Sequence, residues 1–73
     1  MIRDETAAKA ISELMLEVGT SLDDSVRMIK ERCSPEEFES YRRAVGKVMG
    51  SMLLDVMNPL YELHPELKPN GLR

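Results

Sequence analysis

The sequence predicts an all-α fold: three helices, a short fourth helical segment behind a proline break, and association as a dimeric helical bundle. Three observations carry this expectation. Apolar residues recur at intervals of three and four, the period of a helix and not of a strand. Ser34-Pro35-Glu36-Glu37 combines a capping serine, a proline at the first helical position and a glutamate at the third. The last long helix carries more apolar surface than one short chain can cover, and a helix apolar most of the way round is buried most of the way round.

The first helix is expected over about residues 3–18, where Ala7, Ile11, Leu14, Met15 and Val18 share one face. Gly19 fits the left-handed position that commonly ends a helix. A second helix, about 21–32, then begins with Ser21 or Thr20 as its cap and carries Leu22, Val26, Ile29 and Cys33 as its apolar stripe. Asp23 and Arg27 are spaced for a surface ion pair.

The third helix, about 35–57, opens with Glu36, Glu37 and Glu39 facing the positive end of the helix dipole. Cys33 and Phe38 flank this start at the spacing of a hydrophobic staple. At 100° per residue, Phe38, Tyr41, Val45, Val48, Met52 and Val56 form a stripe that is expected to pack against the first two helices. Asn58-Pro59 should kink or end this helix, because proline lacks a donor and disfavours helix in the residue before it. A short segment over 59–64 follows. Residues 1–64 form one helical domain, and 65–73 read as an extended or turn-rich tail with Pro69-Asn70-Gly71.

Beside the first stripe of the third helix a second one appears, made of Gly46, Gly50, Leu53, Leu54 and Met57, with Met49 next to it. Each glycine inside a helix costs about 1 kcal/mol against alanine, so two of them four apart point to a close backbone approach. Gly46, Met49, Gly50, Leu53, Leu54 and Met57 are therefore the expected dimer interface. The competing reading has Gly46 and Gly50 making room for the first helix of the same chain.

Composition narrows the function. The chain has 73 residues, a net charge of −3, three aromatic residues and six methionines. So short a chain gains little stability from a single core without a staple, metal or partner, and it has little interior for a catalytic cleft. Acidic and basic residues are evenly spread, so the concentrated basic face of a nucleic-acid binder is missing. Arg42, Arg43 and Lys47 could form only a small patch, behind three glutamates at the helix start.

Cys33 is the one cysteine, which fits a reducing compartment and, in a bacterial setting, the cytoplasm. The N-terminal residues lack a signal-like apolar run, and Val48 to Met57 is about half a membrane span. His64 has no ligand cluster at metal spacing and reads as a surface or tail residue, while Cys33 reads as a buried inert thiol. No catalytic residue, cofactor or metal is assigned.

The expected function is a small non-enzymatic protein-interaction module, a regulator, adaptor or neutralising partner, acting as a homodimer with a possible heterologous protein partner. The alternative is a binder of a small apolar ligand, with a pocket among Met49, Met52, Leu53 and Tyr61. A nucleic-acid-binding dimer is the third reading.

Overall fold

The computed structural model describes residues 1–69, and the Asn70-Gly71 part of the expected tail turn lies outside them. Two helical arms form an antiparallel hairpin. Helix α1 runs over Glu5–Arg32, and α2 over Pro35–Ser51. The second arm continues through a π-helical stretch, Met52–Met57, into α3, Asn58–Leu63, and ends in a 3₁₀ turn at Pro65–Leu67. No strand occurs among the described residues.

The first correction concerns the number of helices. The two expected at about 3–18 and 21–32 are one helix of 28 residues, and Gly19 does not end it. Ile11, Met15, Val18, Leu22, Val26 and Ile29 stay in phase across the glycine, so a single seam faces α2 along the whole arm. Of the two expected caps, Thr20 donates its hydroxyl to the Leu16 carbonyl (3.1 Å) and Ser21 lies inside the same helix. The cap of α1 is Asp4, whose carboxylate accepts from the Ala7 N–H at 2.9 Å.

The hairpin turn follows the sequence closely. Ser34 Oγ accepts from the Glu37 N–H (3.2 Å), and Glu37 Oε1 accepts from the Ser34 N–H (3.1 Å), a reciprocal capping box with Pro35 opening the helix. These bonds hold the Glu37 carboxyl below its ordinary value, the backbone donor of Ser34 being the larger cause and its side chain the smaller. Lys30 Nζ lies 5.9 Å from the centre of the Phe38 ring and brackets the turn from the α1 side.

The second correction concerns Pro59, which does not break the arm. A proline ring inside an α-helix collides with the carbonyl four residues earlier, here that of Asp55. The arm widens before it: the Asn58 N–H donates to the Leu53 carbonyl, five residues back. A π turn holds about one residue more than an α turn, so the residues beyond it swing round relative to a regular helix. Met57, Leu60, Tyr61 and His64 consequently face α1 and are buried.

The core sits at the open end of the hairpin, where Ala8, Met57, Leu60 and Tyr61 cluster with Ile2, Ile11, Met15, Leu53 and Leu67 around them. His64, expected at the surface, is 5% exposed. Its Nε2 lies 2.8 Å from the Ile2 carbonyl. A carbonyl only accepts, so Nε2 carries the proton and ties the end of the second arm to the start of the first. The 3₁₀ turn continues this packing through Leu67, so the first part of the expected tail belongs to the fold.

Candidate functional site

The hairpin measures 44 × 20 × 16 Å, two helices wide and one helix deep. Such a slab has two broad faces, and hydrogen bonds between the arms mark which is which. Ser25 and Tyr41 hydroxyls meet at 2.8 Å on one side. Counting back 4, 7, 11 and 18 residues from Ser25 along α1 reaches Ser21, Val18, Leu14 and Ala7 on the same line. Counting forward 3, 7 and 11 from Tyr41 along α2 reaches Ala44, Val48 and Met52. None of these is charged, and the same lines reach charged residues toward the turn, Arg32 seven beyond Ser25 and Glu37 four before Tyr41. Leu14 is 46% and Val48 51% exposed, large values for side chains of this kind.

The second arm adds an open groove to this face, lined by Lys47, Val48, Ser51, Met52, Asp55 and Val56. Its apolar floor, Val48, Met52 and Val56, is part of the expected inward stripe. Sequence reasoning placed Val48, Met52 and Val56 against the first arm. The structure keeps Val45 there, as expected, and adds Met49, Leu53 and Met57, a run at intervals of four.

The six residues expected at a dimer interface are divided. Met57 is buried in the hairpin core and Leu53 packs against it. Met49 faces α1, its Cε 4.0 Å from where a Cβ on Gly19 would sit. Gly46, Gly50 and Leu54 point away from α1, and Leu54 is 66% exposed. A Cβ added at Gly46 or Gly50 would meet nothing within 4 Å, so these glycines do not make room for the first arm. By helical phase they lie on the other broad face, the one marked by the bond of 2.6 Å between Ser12 Oγ and Tyr61 Oη.

The remaining candidates separate as well. Tyr61 is buried against Ser12 and Met49 is turned to Gly19, so Met49, Met52, Leu53 and Tyr61 do not line a common pocket. Arg42 is held by Glu39 in two contacts of 3.2 and 2.9 Å. That bond lowers the Glu39 carboxyl and raises the Arg42 guanidinium, so the arginine is engaged within its own helix. The ion pair of Arg27 is with Asp24 at 3.4 Å, one residue from the expected Asp23. Cys33 is half-buried beside the turn. Among the described residues there is no group of three or more metal-ligating side chains, and no helix is long and apolar enough to cross a membrane.

The hairpin is extended for its mass. A folded monomer of this mass exposes about 4,600 Å², whereas this chain exposes 5503 Å². The radius of gyration, 14.4 Å, likewise exceeds the ~11 Å of a compact domain of this length. The excess area, about 900 Å², belongs to the elongated shape of the hairpin. No family model matches the chain, and neither a curated protein nor a solved structure matches it.

Proposed function

We propose that the chain is a small non-enzymatic protein-interaction module that acts as a homodimer. The observation that carries this reading is the face shared by both arms on which Leu14 and Val48 stand exposed, with charged side chains at its rim and ends. Exposed apolar side chains gathered on one face and rimmed by polar residues are a feature of protein contact sites. The polar remainder of the dimer is the surface offered to a heterologous partner, as in a regulator or adaptor. A single, unbridged Cys33 suits the reducing cytoplasm.

Light scattering coupled to size exclusion at micromolar concentration tests the first part. The expected mass is twice 8.3 kDa, and a monomer at every concentration would refute the proposal. Affinity purification of the tagged chain tests the second, with one stoichiometric protein expected and its repeated absence counting against an adaptor role.

A further inference from the structure

Building on the self-association proposed above, we propose that a second copy of the chain docks face to face on the Leu14–Val48 side, its second arm crossing the first antiparallel at Ser51. The occupant is chosen by charge. Lys47 and Asp55 stand four residues either side of Ser51 on the rim of the groove. Both are exposed, and neither joins an ion pair among the described residues. Eight residues apart, they are about 12 Å from each other along the helix, too far to pair within one chain.

A twofold axis in the plane of the interface, passing beside Ser51, resolves this. It sets Lys47 against the partner's Asp55 and, by the same symmetry, Asp55 against the partner's Lys47. Val48 then lies near the partner's Val56, and the small Ser51 at the crossing lets the two backbones come close. The Gly19–Met49 contact fixes the level of the first arm, so the same axis crosses α1 between Glu17 and Val18. There Val18 lies near the partner's Val18, and Leu14 falls beside the partner's Ser21, a large side chain over a small one. The product is a four-helix bundle in which each arm is antiparallel to the arm of its own hairpin and to the arm facing it.

Charge reversal at the two positions tests this arrangement, with circular dichroism to confirm that each variant remains helical. Lys47→Asp alone sets carboxylates against carboxylates twice per dimer, and Asp55→Lys alone does the same with ammonium groups. Each single variant should self-associate about tenfold or more weakly than the parent. Mixing the two should restore association as a heterodimer, and so should the double variant K47D/D55K as a homodimer.

A parent dimer whose affinity is unmoved by the single reversals, or a mixture that fails to pair, would overturn the arrangement while leaving self-association intact. A monomeric parent would overturn both. A second measurement does not depend on charge: in a Cys33→Ser background, Ser51→Cys should oxidise to a disulfide-linked dimer, because the axis brings the two positions together. Cross-linking through Gly50→Cys instead would move the interface to the opposite face.

Discussion

Tyr61 shows how much a single residue carries in so small a core. Its ring is 5% exposed and its hydroxyl shares a buried bond with Ser12, across 49 positions of sequence. Tyr61→Phe removes one partner and leaves the Ser12 hydroxyl without it, at a cost of about 1–2 kcal/mol. The double variant S12A/Y61F should regain much of that loss, because both polar groups are then gone. Urea denaturation of the four members of the cycle checks this, and strictly additive losses would contradict it. Neither the pair nor the His64–Ile2 tie was legible in the sequence. Serine, tyrosine and histidine are ordinary surface residues, and only the placement of the two arms brings these atoms within 3 Å.

At the scale of the element, the start of α2 was fully legible because its signal is local. Ser34, Pro35 and Glu37 act on donors within three residues, and no distant packing overrides them. Ser34→Ala should lower stability by about 1 kcal/mol. The Glu37 half of the box has a pH dependence of known sign. Its carboxyl is lower in the folded than in the unfolded chain, so its contribution is present above the ordinary glutamate range and fades as the pH falls through the lowered value. Thermal melts of the parent and Glu37→Gln should therefore converge on acidification, and a gap independent of pH would contradict this.

Gly19 misled for the opposite reason. Its local meaning is a stop, yet the seam from Ile11 to Ile29 continues in phase across it. That continuity was available in the sequence, and it outweighs one glycine. The backbone there is an uninterrupted helix, and a Cβ would sit at ordinary contact distance from Met49. Gly19→Ala should accordingly raise stability by about 0.5–1 kcal/mol, and a lower melting temperature would mean that the seam has no room for a methyl.

For the whole molecule, an all-α chain with an exposed apolar surface was readable from periodicity and size, whereas the side on which that surface lies was not. A hairpin one helix deep cannot enclose a core along its length, and only its open end does so. The middle of the rod is left with an inner seam and one face on which Leu14 and Val48 stand exposed. If dimerisation completes the middle, unfolding becomes dependent on protein concentration, since what binds only the folded chain stabilises it by mass action.

The π segment has a further meaning for anyone reading such a chain by its repeat. Six residues, Met52–Met57, do the angular work of five. A helical wheel drawn straight through Pro59 is thus one residue out of step beyond Met52. Dropping one count there brings Met57, Leu60, Tyr61 and His64 into line with Val45 and Met49. The arm is an unbroken apolar repeat with a single skipped beat, and the skip falls where the proline needs the extra width.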